Sequence, residues 1–217
     1  IELRSGHAPI RVRPHRPGLR PIEYRLPVAS AQVKSCVLLA GLYSSGETVV
    51  IESTPSRDHT ERMLGLEVQE VGGERHILVE EAHTVPAAHW WVPGDFSGAA
   101  FFLVAGTLVP DSELRLEDVG LNPSRTALLE VLEGMGADIT IENERVQGSE
   151  PVGDLTVRSA ELSGIDVGGR LIPNLIDEIP VIAVAAACAT GRTEIRDAEG
   201  LPREEPGRLP RMAQHPP

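Results

Sequence analysis

The sequence predicts an α/β protein assembled from repeated βαβαββ units, and three observations point there. Helix starts and the strands after them recur at a nearly constant distance: Ser30 precedes Thr48 by 18 residues, Ser97 precedes Leu114 by 17, and Asp177 precedes Thr193 by 16. After the first two strands comes a second helix start, Ser56–Arg57 and Asn122–Pro123–Ser124–Arg125, with the region of Glu205 in the matching place of the third. That second helix is followed by a pair of short strands, Gln69–Val71 with Ile77–Val79 and Asp138–Ile141 with Arg145–Gln147. Self-similarity at about 65 to 80 residues marks a repeat architecture. The helices of each unit need a sheet to cover them, so units pack with sheets outside and helices buried, or the reverse.

Composition narrows the function classes. The 217 residues suffice for one large domain or two small ones, and 41% hydrophobic with 24% charged residues is ordinary for a globular protein. Aromatics are only 3%, so the core is built from Leu, Val, Ile and Ala. A net charge of −12 argues against nucleic acid or an anionic membrane as partner, yet leaves room for a small anionic substrate met by a few aimed arginines. Cys36 and Cys188 lie in apolar helical runs and read as small buried hydrophobes. The start, IELRSGHAPI, has no apolar signal core, and the run Val181–Ala189 falls far short of the ~20 residues that span a bilayer; a soluble, cytoplasmic protein is expected. The seven histidines are scattered with no HxxxH or Cys/His cluster, which speaks against a metal site.

Taken in order, Ile1–Arg25 is rich in Arg, Pro and Gly, with Ile10–Pro14 the only strand signal. The first helix begins at Ser30–Ala31–Gln32, ahead of Val33, Cys36, Val37 and Ala40 at helical spacing. A helix start leaves N–H groups unpaired at the positive end of the dipole and suits an anion, to which Ser30 adds a hydroxyl and Gln32 an amide. After a turn at Ser44–Gly46, Thr48–Val50 reads as a β-branched strand. Ser56–Arg57–Asp58–His59 then opens another helix, and Arg57 offers a guanidinium that grips phosphate through two parallel bonds. The structural alternative is that Ser30 and Ser56 only cap helices and Arg57 is a solvated charge. Gly72–Gly73 and Gly168–Gly169 are turns, since no phosphate-loop motif accompanies them. The sequence WVPGD at Trp91–Asp95 interrupts the pattern and is read as a boundary, with Trp90 and Trp91 packed at a strand end rather than forming a ligand platform. Strands around Leu155–Arg158 and Gly164–Val167 lead to Asp177 and Glu178, directly before a helix of nearly pure Val, Ile and Ala. Asp177 is placed to orient or deprotonate a hydroxyl; the alternative makes it an N-cap and Glu178 a first-turn charge.

The strings ASAQVKSCVLLAGL, SRDHTERML, GDFSGAAFFLVAGTLVP, LNPSRTALLEVLEGMGADITI, GSEPVGDLTV and IPNLIDEIPVIAVAAACATGRTEIRDAE, in this order, resemble 5-enolpyruvylshikimate-3-phosphate synthase of the bacterial type with Ser-Ala-Gln and Arg-Asp-His-Thr-Glu. The resemblance covers the chain to about Glu199 and implies an enolpyruvyl transferase-like inside-out α/β barrel in two globes, each of three βαβαββ units. Here it is incomplete: residues 1–92 belong to the first globe and 93–217 to the second. The family's N-terminal lysine, serine and arginine set and its glycine-rich loop are absent, so the chain resembles an internal fragment. The implied reaction transfers enolpyruvyl from phosphoenolpyruvate to the 5-hydroxyl of shikimate 3-phosphate, without organic cofactor or metal. The resemblance assigns Ser30, Ala31, Gln32, Ser56 and Arg57 to shikimate 3-phosphate and Asp177 to its 5-hydroxyl. It assigns Glu205 to the proton at the pyruvyl methylene carbon and Arg208 to the phosphate of phosphoenolpyruvate.

The segment Leu201–Met212 departs from that pattern. Glu204 stands where the family has a phosphoenolpyruvate-binding lysine, a reversal of charge that repels the ligand. Pro202, Pro206 and Pro210 break what should be a helix, at ~3 kcal/mol for an interior proline. Two further readings stand beside the transferase: a catalytically inactive module that at most binds shikimate 3-phosphate, and the sister enzyme acting on UDP-N-acetylglucosamine. Incomplete repeats expose apolar faces, so self-association is expected.

Overall fold

The computed structural model describes residues 2–4, 7–11, 18–81, 83–85 and 87–197. The chain forms two compact units, Ile1–Pro55 with Leu64–Ala87, and Ser56–Met63 with Ala88–Pro217.

In the first unit β1 (Glu2–Arg4) pairs antiparallel with β2 (His7–Arg11). Strand structure therefore begins before the expected Ile10–Pro14 and includes a second strand. Next come β3 (Glu23–Arg25), α1 (Ala31–Gly41), β4 (Thr48–Glu52), β5 (Glu67–Val71) and β6 (Glu74–Val79), while α2 (His59–Leu64), which follows β4 in sequence, belongs to the second unit except for Leu64. The sheet order is β3-β4-β6-β5, with β3 parallel to β4 and the other pairs antiparallel. A parallel pair cannot be joined by a tight turn, so α1 supplies the crossover. Gly72 and Gly73 both take positive φ, 61° and 83°, which a two-residue turn between twisted strands requires. Leu26, Leu38, Val50, Ile77 and Val79 form the core.

Of the apolar series Val33, Cys36, Val37 and Ala40 on α1, only Val37 packs against the core. Lys34, Leu38 and Gly41 are buried instead, and Val33 and Cys36 are exposed. Cys36 lies two residues from Lys34, about 200° around the helix. Gly41 faces Thr48 so closely that an added Cβ would lie 3.1 Å from the threonine Cβ. Lys34 tolerates burial because Glu52 on β4 meets its Nζ at 3.1 and 3.3 Å, while Arg75 on β6 reaches Glu52 Oε1 at 2.7 Å. Ion pairing thus overrides the apolar pattern that assigns lysine to the surface.

The second unit continues with α3 (Phe96–Leu108), β7 (Glu113–Gly120), α4 (Ala127–Met135), β8 (Asp138–Gln147) and β9 (Glu150–Arg158). After these come β10 (Asp166–Val167), a 3-10 turn at Gly169–Asn174, α5 (Ile179–Cys188) and β11 (Glu194–Ile195). The antiparallel order is β7-β9-β8, and Gly94 bridges in parallel to Val119 where β3 meets β4 in the first unit. The third repeat begins as the others do, with β10 parallel to β11 around α5. Helices meet the sheet in the interior: Leu103, Leu128, Leu132, Met135 and Ile182 from helices, Leu155 from β9 and Leu175 from the loop before α5 are almost wholly removed from solvent. Each such side chain contributes about 1.5–3 kcal/mol. Gly106 of α3 lets the helix sit on β9, since a Cβ there would be 2.7 Å from Val157 Cγ1.

Three expectations are corrected here. Asp138–Ile141 and Arg145–Gln147 do not pair with each other; both lie in β8, which runs through an irregularity between Glu142 and Arg145 and pairs with β9. Asn143 takes φ 52° there and its amide donates to Asp154 at 2.9 Å, while the reversal moves to Gly148 at φ 64°. Cys188, like Cys36, is exposed, because the buried side of α5 is formed by Ile179, Val181, Ile182 and Ala185. Trp90 and Trp91 are 51% and 72% exposed instead of packed at a strand end. No helix among the described residues is long and apolar enough to cross a membrane.

Candidate active site

Four segments of the second unit converge on Asp177: the lead into α2, the start of α3, the loop before α4 and the lead into α5. Each is fixed by local chemistry. Asp95 caps α3, accepting from Ser97 N at 3.3 Å and Gly98 N at 2.9 Å. The buried Asn122 folds its loop back, with Oδ1 accepting from Ser124 N at 2.9 Å and Ser124 Oγ at 2.7 Å. Its Nδ2 donates to Asp58 at 2.7 Å and Glu150 at 2.9 Å, tying the α2 lead and the β9 start to the same loop. Glu150 also meets His59 Nδ1 at 2.8 Å. Pro180 stands in the first turn of α5, where a missing N–H costs nothing.

On this frame Arg57 Nη2 bonds Asp177 Oδ2 at 2.5 Å, across 120 residues of sequence. Arg125 approaches the same oxygen at 3.8 Å and donates to Ser97 Oγ at 2.5 Å. Ser97 Oγ donates its own hydrogen bond to Glu178. Asp177 is therefore not a helix cap: α5 has Glu178 at its N-cap, in αR conformation and with no side-chain cap bond. Nor is Glu178 a first-turn surface charge, since it is 1% exposed. Burial pushes its carboxyl above the ordinary range, the Ser97 hydrogen bond and the charge of Arg125 oppose that rise, and the negative charge of Asp177 adds to it. Beside this row opens a cleft of about 360 Å³ with Trp90, Trp91, Met63 and Phe96 among its walls.

The other residues singled out by sequence fall as follows. In the first unit Ser30 is the N-cap of α1, its Oγ accepting from Val33 N at 3.4 Å; Ala31 begins the helix and Gln32 is exposed on its first turn. Ser56 is buried just ahead of Arg57. Glu204, Glu205 and Arg208 lie outside the described residues. The structure adds Ser97, Arg125, Asn122 and Glu178, which no motif singled out as site residues. A signal existed for two of them. Ser124–Arg125 repeats the dipeptide Ser56–Arg57 before the second helix of its repeat, and Ser97 sits at a helix start as Ser30 does.

The family model of EPSP synthase (3-phosphoshikimate 1-carboxyvinyltransferase) matches residues 1–215. The chain belongs to the EPSP synthase family. Among its relatives, the 3-phosphoshikimate 1-carboxyvinyltransferase of Salinibacter ruber is 85% identical over 216 residues, 99% of this chain and 50% of that protein. The enzyme of the same name from Geobacillus kaustophilus is 51% identical over 96% of this chain and 49% of its own length. The chain thus spans about half the length of the curated relatives it matches. Among solved structures, an EPSP synthase from Acinetobacter baumannii superposes with a TM-score of 0.80 at 44% identity, over 90% of this chain and 44% of that one. The enolpyruvyl transferase NikO from Streptomyces tendae, at 20% identity and TM-score 0.53, shares the fold over 73% of this chain and 37% of its own. The EPSP synthase fold is present here in incomplete form, with no closed barrel among the described residues.

Proposed function

We propose that this chain is the part of a cytoplasmic 3-phosphoshikimate 1-carboxyvinyltransferase that receives shikimate 3-phosphate and presents its 5-hydroxyl to phosphoenolpyruvate. The observation that carries the reading is the Arg57–Asp177 pair, a guanidinium and a carboxylate brought together from distant sequence at 2.5 Å. Both side chains are about one-third exposed, so their attraction is worth roughly 0.2–1 kcal/mol. A multiply charged ligand opens such a pair easily. Arg57 then turns to an anionic group of the ligand, and the released Asp177 accepts a hydrogen bond from the hydroxyl and raises its nucleophilicity.

In this reading Ser30, Ala31, Gln32 and Ser56 act with Arg57 on shikimate 3-phosphate, and residues 1–92 and 93–217 are parts of the two globes. The hydroxyl oxygen gives its proton to Asp177 and adds to C2 of phosphoenolpyruvate while C3 takes a proton; C3 then loses a proton as the C2–O bond to phosphate breaks, which restores the C2–C3 double bond and releases phosphate. Preorganised cations supply most of the stabilisation, and the reaction takes no organic cofactor or metal. Glu205 handles the C3 proton and Arg208 binds the phosphate of phosphoenolpyruvate. With Glu204 in place of a cation, the second substrate is held poorly, so the isolated chain binds shikimate 3-phosphate and turns over little.

Calorimetry and thermal shift test this reading. Shikimate 3-phosphate is expected to bind and raise the melting temperature, UDP-N-acetylglucosamine to do neither, and phosphate release with both substrates to stay at background. Absence of shikimate 3-phosphate binding overturns the assignment. Protection by the UDP-sugar alone moves it to the sister enzyme, and turnover above background overturns the inactive state of the isolated chain.

A further inference from the structure

We propose that Glu178 is a positioning residue, which through Ser97 and Arg125 fixes the Asp177 carboxylate in the orientation a hydroxyl-bearing anionic ligand meets. The proposal rests on the reading of Asp177 and Arg57 as ligand-contacting groups. Its basis is the direction of the hydrogen bonds. A serine hydroxyl has one proton and two lone pairs. Ser97 donates through that proton to Glu178, so its lone pairs face outward and accept from Arg125 Nη2 at 2.5 Å. Arg125 is thereby held with Nη1 3.8 Å from Asp177 Oδ2, and Asp95 steadies the same guanidinium at 3.4 Å.

Geometry separates the two arginines by role. Arg57 meets Asp177 on a partly exposed side and is free to leave for a ligand. Arg125 is more deeply set, with its side chain 15% exposed, and its donors are already engaged by Ser97 and Asp95. When Arg57 departs, Arg125 remains to keep Asp177 oriented. The groups facing Glu178 are Ser97, Arg125, Asp177 and Arg57, and each changes the balance between its charged and neutral forms. Glu178 therefore reports on the whole row. It is the one wholly buried carboxylate in the row, and no direct ligand contact is required of it.

The test uses the full 217-residue chain with ¹³C-labelled carboxyl groups, the Glu178 signal being assigned by its loss in E178Q. The Glu178 titration midpoint is expected to rise in S97A and R125Q, which remove groups that favour the carboxylate. It is expected to fall in D177N, which removes a neighbouring negative charge. Calorimetry with shikimate 3-phosphate is expected to show binding weakened roughly tenfold or more in R125Q and E178Q, as loss of orientation typically does. R125K, which keeps the charge without the planar fork, should recover part of that loss. Midpoints that do not respond to R125Q and D177N overturn the proposal, as does E178Q binding like the wild type from about pH 5 to 8. A chain that binds no shikimate 3-phosphate, yet shows the midpoint shifts, overturns the substrate reading and upholds the coupling of Glu178 to Asp177.

Discussion

Replacing Lys34 or Glu52 probes the first unit at its least ordinary point. Lys34 is fully buried, Glu52 is 1% exposed, and their nearest charged atoms are 3.1 Å apart. At an effective dielectric constant of about 20, that separation corresponds to ~5 kcal/mol of gross attraction, much of it cancelled by desolvation. The two partners differ in what they leave behind. In K34M, Arg75 still meets Glu52 at 2.7 Å, so the carboxylate keeps a cation; a loss of about 2–3 kcal/mol is expected. In E52Q both cations lose their shared anion, and the loss is expected at about 3–5 kcal/mol. The double variant should fall short of the sum of the single losses by about 1–3 kcal/mol, as contacting residues do. Urea unfolding followed by far-UV circular dichroism reads all three. The reasoning fails if E52Q costs less than about 1 kcal/mol, or if K34M costs more than E52Q.

Three further outcomes are expected. G106A should destabilise by about 1–3 kcal/mol despite the better helix propensity of alanine, because its Cβ meets Val157 at 2.7 Å; G164A should cost more, since its Cβ would lie 2.3 Å from the Arg192 carbonyl oxygen, and equal melting temperatures would contradict both. Glu178 binds its proton more tightly folded than unfolded, so its contribution to stability is lost as pH rises from the ordinary carboxylate range through its higher folded value; E178Q should therefore gain on the wild type in urea midpoint as pH rises above that ordinary range, and a constant difference would refute this. Phe101, Phe102 and Val184 stand exposed on α3 and α5, so light scattering should find self-association, and a monodisperse monomer would contradict it.

Much of this was readable from local chemistry. The repeat spacing located α1, α3 and α5 with their following strands because capping residues and β-branched runs act over a few residues. Ser30 was readable as a cap for the same reason, and the double glycine as the β5–β6 turn. What escaped depends on distant partners. Arg57 and Asp177 were each identifiable, but their meeting is a matter of tertiary approach across 120 residues. Lys34 reads as a surface residue until Glu52 and Arg75 are placed around it. Glu178 reads as a helix-start charge until Ser97 arrives from another helix. The bulge in β8 depends on Asp154, whose carboxyl is held below the usual range by the Asn143 amide first and Arg115 next.

That bulge bears on whether a foreign strand can add to the sheet. β8 is an outer strand of its sheet, ten residues long and exposed along most of its length, a shape that invites another strand to add alongside. The kink at Asn143 and the charged run Glu142, Glu144 and Arg145 make its rim too crooked and too polar for a foreign backbone to lie flat. The strand is thereby a poor template for edge-to-edge, fibre-like stacking.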